Sequence, residues 1–216
     1  MTPGELARSI GEVQLDFHLR YRGALPTCSR TETRSREKQF IRAYISSQLE
    51  ELWKVQPQLA SIQLDKLQLG TLSGRTVEVR RPIRDEQHLF YYVPIKGCRF
   101  IPLITRAHEL FCELDIRFLR RENPGDIIQG GDLDNRLKTL FDGLRMPLSE
   151  DEVPQDMPDQ RQFCLLEDDS LIKKVTIDTG RLLGPIQDQE KETDVDLAIH
   201  VTIKVATPMW DNLSWL

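Results

Sequence analysis

The sequence lacks the features that define several large classes of protein. No apolar run approaches the roughly 18 residues of a membrane-spanning helix, and residues 1–10 contain no long apolar stretch typical of a signal peptide. We therefore expect neither a membrane span nor export, and we expect the protein in the cytoplasm. No repeat or low-complexity tract is present, so the 216 residues are most simply one elaborated domain, 1–216.

Cysteine pairs and an overall positive charge are also missing. The four cysteines, at positions 28, 98, 112 and 164, are far apart and form no C-x-x-C pair, which favours reduced thiols over a zinc site or a disulfide framework. The formal net charge is −5, so the chain as a whole does not attract nucleic acid. The acidic excess lies in the second half of the chain, however, and global charge therefore decides little about partners.

Hydrophobic spacing predicts an α+β protein with a mixed β-sheet packed against helices. Two-residue alternation predicts strands over 12–20, 110–118 and 195–205, and the apolar residues at 171, 172, 175 and 177 predict the start of a buried strand. A helix is expected over about 35–53. Short strands at 76–79, 89–93 and 99–104 indicate an inserted β-rich element within 57–109, and the proline-rich, acidic stretch 145–166 is predicted to be a loop and a second insertion.

The most informative segment of the chain is 130–144, GGDLDNRLKTLFDGL. Its leucines and Phe141 recur at helical spacing, which predicts an amphipathic helix that begins at Asp132, a suitable N-cap residue. Asp134, Lys138 and Asp142 follow at four-residue intervals and so lie in a row beside the apolar stripe. By itself, this pattern also fits an ordinary capped helix with surface ion pairs.

A second acidic segment, Asp168 and Asp169, comes about 30 residues later and just before an apolar strand. If Asp132, Asp134 and Asp169 converge, each pair at about 4 Å repels by roughly 4 kcal/mol at an effective dielectric constant of 20. A bound cation or a shifted protonation state is then required. Oxygen ligands without a histidine or cysteine pattern favour Mg²⁺ or Mn²⁺.

These two segments resemble the RusA-like Holliday junction resolvases, whose motif is D-x-D-N-x-x-K followed by a D-D pair that opens a strand. DLDNRLKTLFDGL (132–144) and EDDSLIKKV (167–175) fit that motif. The resemblance implies a RusA-like fold, the catalytic residues Asp132, Asp134, Lys138 and Asp169, and Mg²⁺, for which Mn²⁺ can substitute, held by Asp132, Asp134 and Asp169. Asp142 and Asp168 match motif positions of secondary importance.

The same resemblance implies a homodimer that cuts four-way junctions or other branched DNA by metal-assisted phosphodiester hydrolysis. Two departures from the family keep other functions open. The neutral stretch 127–131 replaces the usual basic approach to the first aspartate, and the insertions add nearly a hundred residues. The alternatives are a nuclease redirected to flaps, linear DNA or RNA, and a nucleic-acid-binding module without catalysis.

A basic stretch between residues 20 and 42 supplies the candidate contacts to nucleic acid. A run of this kind is often only a solvated charged face. Beside a nuclease motif, contact with backbone phosphates is the better interpretation. The predicted nucleic-acid-binding residues are Arg22, Arg30, Arg34, Arg36 and Lys38.

Overall fold

The fold is taken from a computed structural model that describes residues 15–25, 31–56, 71–72, 75–76, 83–84, 89–90, 92–106, 110–121, 132–157, 160–184, 191 and 194–205. Within these ranges, the backbone alone is described for 31–34, 71–90, 132 and 205. The helices are α1 (Thr31–Val55) and α2 (Asp132–Leu144), and short 3-10 helices form at Glu150–Glu152 and Asp169–Leu171. The strands are β1 (Leu15–Ala24), β2 (Thr71–Leu72), β3 (Arg75–Thr76), β4 (Ile83–Arg84), β5 (Leu89–Phe90), β6 (Val93–Ile95), β7 (Cys98–Ile104), β8 (Leu110–Arg120), β9 (Arg161–Leu166), β10 (Ile172–Arg181) and β11 (Asp194–Val205).

The larger sheet has the strand order β1-β11-β8-β10. β11 is antiparallel to both β1 and β8, whereas β10 runs parallel to β8. The predicted alternation is confirmed in β8 and β11, where every second residue is buried, and Leu19, Ile199 and Ile116 lie side by side across three strands. The opposite face is polar, since His18 stacks on His200 with ring centroids 4.6 Å apart.

A second sheet, of order β6-β7-β9, forms the other part of the core. β7 and β9 are parallel, and their residues are buried almost continuously, as is usual for parallel strands covered on both faces. The prediction of a loop over 145–166 is therefore wrong for Arg161–Leu166. Strand β7 falls within the predicted insertion 57–109, yet it is an integral part of this core.

The two helices join these sheets. Helix α1 contacts β9, α2 and β1, and it buries Ile41, Ile45 and Leu49. α2 approaches α1 closely at Gly143, where a Cβ atom would lie 2.6 Å from Cγ2 of Ile41. Both predicted helices are confirmed, and α1 extends a few residues beyond the expected 35–53 at each end. The architecture is α+β with mixed sheets.

The predicted strands 110–118 and 195–205 are confirmed within β8 and β11, and the strand expected from about 171 begins at Ile172, after a 3-10 turn. The prediction that this strand is buried is wrong, because β10 lies at the edge of the larger sheet and its residues are exposed or partly buried. The first strand is observed from Leu15, and its predicted residues 12–14 lie outside the described residues. Of the short strands expected in 57–109, 99–104 is confirmed within β7, while residues 77–79 and 91 lie outside the described residues. Neither described helix is long and apolar enough to cross a membrane.

Candidate metal and nucleic-acid site

The two acidic segments of the sequence lie against each other. Asp134 and Lys138 are exposed on α2, and Asp169 is exposed at the start of the 3-10 helix Asp169–Leu171, which α2 contacts. Asp132 begins α2, but its side chain lies outside the described residues. Just past α2, the backbone N–H of Met146 donates to the carbonyl of Leu166 at 2.9 Å. The end of β9, which leads into the acidic turn (residues 167–171), therefore lies next to the end of α2, the motif helix.

The turn at residues 167–171 is held by a small set of hydrogen bonds that Asp168 organises. Its Oδ1 accepts from the backbone N–H of Ser170 at 2.9 Å and caps the 3-10 helix. Nη2 of Arg106 lies 3.4 Å from the same oxygen and donates to Oγ of Ser170 at 2.8 Å. Asp168 is therefore mostly buried and occupied by the protein itself, whereas the neighbouring Asp169 side chain is free to face solvent.

Glu167, at the end of β9, is a fully buried carboxyl group. Its backbone N–H donates to the carbonyl of Ile104 at 2.9 Å, and its Oε2 accepts from the backbone N–H of Arg106 at 3.0 Å. Burial raises the pKa of Glu167, and the N–H and positive charge of Arg106 oppose this effect only partly. Its Oε1 has no hydrogen-bond partner among the described residues, which is rare for a buried polar atom.

Asp142, the last acid of the motif helix, belongs to a buried ion-pair network. Its Oδ2 lies 2.7 Å from Nζ of Lys38, and its Oδ1 accepts from Nη2 of Arg145 at 2.8 Å. Arg145 also binds the carboxylate of Glu152 at 3.0 and 3.1 Å. Burial alone would raise the pKa of Asp142, but the hydrogen bonds and charges of Lys38 and Arg145 outweigh it and hold the pKa below its usual value.

Arg42 completes the connection between the two helices. It is fully buried, and it donates through Nη2 to the carbonyl of Asp142 and through Nε to the carbonyl of Arg145, both at 2.9 Å. The carbonyl of Asp142 lies in the last turn of α2 and that of Arg145 lies just beyond its end, where no intrahelical donor is available. Burial lowers the pKa of Arg42. Asp142 and Arg42 therefore fix the motif helix on α1, a structural role that the charge pattern of the sequence did not reveal.

The predicted nucleic-acid-binding residues occupy different environments. Arg36 is exposed, with Nη2 4.0 Å from Asp156, and Arg22 is partly exposed. Arg30 and the side chain of Arg34 lie outside the described residues. Lys38 is buried against Asp142, so its ammonium group is occupied within the protein. We therefore do not carry Lys38 into the proposed set of DNA contacts.

Two basic residues that the sequence analysis did not single out flank the acidic turn. Arg106 follows β7 and holds Asp168 and Ser170, and Lys173 donates from Nζ to the carbonyl of Ser170 at 3.0 Å. Arg106 lies within the predicted insertion, and its position next to the turn depends on the parallel pairing of β7 with β9. No local pattern in the sequence signals that pairing.

The donor chemistry of the site suits a hard cation. Asp134 and Asp169 offer exposed carboxylate oxygens, the ligands that Mg²⁺ prefers. Considering the described residues alone, no group of three histidine, cysteine or acidic side chains is arranged to hold a metal ion. Of the third predicted ligand, Asp132, only the backbone is described. Comparison with models of protein families, with curated proteins and with solved structures finds no match for this chain.

Proposed function

We propose that this chain is a Mg²⁺-dependent, structure-specific DNA endonuclease similar to the RusA-like resolvases. One observation carries the proposal: α2, with Asp134 and Lys138 exposed, contacts the 3-10 helix that begins at the exposed Asp169. Asp134 and Asp169 are distant in sequence, and a helix with ordinary surface ion pairs would have no reason to meet a second acidic turn. Uncompensated acids in adjacent elements repel each other, which favours a site that binds a cation.

Asp132, Asp134 and Asp169 would hold the metal through their carboxylate oxygens. When bound, Mg²⁺ supplies positive charge and orients an attacking water for displacement at phosphorus. Lys138 lies one helical turn after Asp134 on the same edge of α2, where its ammonium group can donate to a phosphate oxygen and stabilise the charge that develops there. The buried contacts of Asp142 with Lys38 and Arg145 keep α2 in place while this happens.

The proposed substrate is a four-way junction or another branched DNA. Resolution of a four-way junction needs two symmetric cuts, so the active species would be a twofold homodimer. Arg22, Arg30, Arg34 and Arg36 are the proposed contacts to backbone phosphates, because they precede or open α1, whose later turns pack on the motif helix.

Cleavage assays test the proposal directly. The purified chain is incubated with a four-way junction, with a linear duplex of matched sequence and with RNA, in Mg²⁺ and separately in Ca²⁺. We expect cleavage of the junction in Mg²⁺ and binding without cleavage in Ca²⁺. Asp134→Asn should abolish cleavage but spare binding, and Lys138→Ala should lower the rate constant by about 100- to 1000-fold.

The outcomes separate the competing functions. If linear duplex is cut as fast as the junction, the chain is a nuclease without specificity for junctions. If RNA is cut faster than DNA, RNA is the better candidate substrate. If the chain binds nucleic acid but cuts no substrate in Mg²⁺, the alternative of a non-catalytic nucleic-acid-binding module is favoured. Measurement of the molar mass in solution checks the dimer.

A further inference from the structure

The acidic turn presents an electrostatic difficulty for any nucleic-acid ligand. Glu167, Asp168 and Asp169 are consecutive acids, and Asp134 lies on the helix that contacts this turn. A phosphate backbone approaching them is repelled unless neighbouring cations offset their charge. The Mg²⁺ of the proposed function would offset part of this charge, and basic side chains next to the turn can offset more. Lys38 is not one of them, because Asp142 occupies its ammonium group within the protein.

Arg106 and Lys173 are two basic residues that hydrogen-bond to this turn. Both are anchored on Ser170, the residue after Asp169: Arg106 donates from Nη2 to Oγ at 2.8 Å, and Lys173 donates from Nζ to the carbonyl oxygen at 3.0 Å. The two anchors use different atoms of one residue. The two cations therefore lie close to the proposed metal ligand, Asp169.

Neither cation is buried by these contacts. The Arg106 side chain is 45% exposed and meets Asp168 and Ser170 through the same terminal nitrogen, although a guanidinium group carries five N–H donors in a planar fork. Lys173 is exposed, and an ammonium group carries three donors. Both groups can therefore bind an anion from solvent while they remain attached to the turn. Planar arginine forks match the geometry of phosphate oxygens particularly well.

We propose that Arg106 and Lys173 form a phosphate-binding pair that receives the nucleic-acid backbone beside the acidic turn. This inference rests on the proposed nuclease function and adds two substrate-binding residues to it. Anchoring on Ser170 places the bound phosphates next to Asp169, and it restricts the motion of two long side chains before the ligand arrives. Less conformational entropy is then lost on binding.

The salt dependence of binding provides the test. The affinity of the full-length chain for a four-way junction is measured in Ca²⁺, which prevents cleavage, at several salt concentrations. Each phosphate contact that is lost reduces the slope of log K against log salt by about one. We expect Arg106→Gln and Lys173→Gln each to reduce the slope by about one and to weaken binding about tenfold or more at a fixed salt concentration. The double variant should reduce the slope by about two.

Three further variants separate phosphate binding from a structural role. Ser170→Ala removes the Oγ anchor of Arg106 but no charge, so it should leave the slope unchanged. Arg106→Lys retains the charge and should recover the slope while recovering only part of the affinity, because the fork is lost. Lys54→Gln removes an exposed lysine that pairs with Glu50 at the end of α1, and it should change neither quantity. Thermal unfolding of each variant identifies any that fail to fold.

Two results would overturn the inference. If the wild-type chain binds the junction but Arg106→Gln, Lys173→Gln and Arg106→Lys keep its slope and affinity, the pair does not bind phosphate, and the nuclease proposal stands separately on its own cleavage assay. If the wild-type chain neither binds nor cuts any nucleic acid, both proposals fail together.

Discussion

Replacing Asp142 with asparagine should strongly destabilise the protein, because it leaves the buried Lys38 without its counterion and the buried Arg145 with Glu152 alone. The side chains of Asp142, Lys38 and Arg145 are each no more than 10% exposed. At 2.7 Å, the attraction between Lys38 and Asp142 is roughly 6 kcal/mol at an effective dielectric constant of 20, and desolvation of the two ions offsets most of it. Removing one partner keeps the desolvation penalty and loses the attraction, and the expected cost is about 3–5 kcal/mol.

Urea unfolding measures this effect. With an m-value of about 3 kcal/mol/M, which suits a chain of this size, the midpoint should fall by about 1 M or more. Lys38→Met should cost less, about 1–3 kcal/mol, because Asp142 still binds Arg145. In the Asp142→Asn variant, the further substitution Lys38→Met should lower the free energy of unfolding by less than it does in the wild type, since the lysine has already lost its partner.

A matched control uses an exposed ion pair. Lys54 and Glu50 lie 3.3 Å apart on α1 with both side chains exposed, and Lys54→Met should cost less than about 1 kcal/mol. If Asp142→Asn were no more destabilising than Lys54→Met, the buried network would not stabilise the fold. The idea that it fixes the motif helix on α1 would then be refuted.

Two further predictions concern the same contact between α1 and α2. The pKa of Asp142 in the folded state lies below its value of about 3.9 in the unfolded chain. Ionised Asp142 therefore contributes stability that is complete above about pH 4 and is lost as the pH falls through the folded-state pKa. The urea midpoint should drop more steeply below pH 4 in the wild type than in Asp142→Asn. Gly143→Ala should lower the free energy of unfolding by about 1–3 kcal/mol, because the new Cβ atom would lie 2.6 Å from Cγ2 of Ile41. This cost should exceed the gain from the better helix propensity of alanine. A melting temperature at or above that of the wild type would contradict this close approach.

The proposed nuclease site depends on rigid support from outside the motif. Asp134 and Lys138 lie on α2, and Arg42 binds carbonyls at the C-terminal end of this helix. Asp169 lies on a turn that is hydrogen-bonded to the end of β7 through Arg106 and Glu167. Catalytic groups need such support because small displacements of a metal ligand reduce the rate. Substitutions at Arg42 should therefore lower activity indirectly, by loosening the helix that carries Asp134 and Lys138.

Local patterns in the sequence were sufficient for much of the fold. The 3.6-residue period of the leucines predicted α2 with its bounds, and two-residue alternation predicted β8 and β11. β9 was missed, because a short buried run without alternation, next to a proline-rich stretch, cannot be distinguished from a loop by periodicity. Its burial comes mainly from β7 and α1, which are remote in sequence, and partly from α2.

By itself, the sequence determined which acidic segments carry the candidate chemistry, because the spacing of Asp132, Asp134 and Lys138 is a local property of one helix. Only the tertiary structure decided which charges remain available to a ligand. Asp142 and Lys38 are more than 100 residues apart and neutralise each other in the interior, whereas Asp134 and Asp169 remain exposed on elements that touch. The reason is physical: desolvation and pairing of a charge depend on partners from other elements, and no local pattern contains that information.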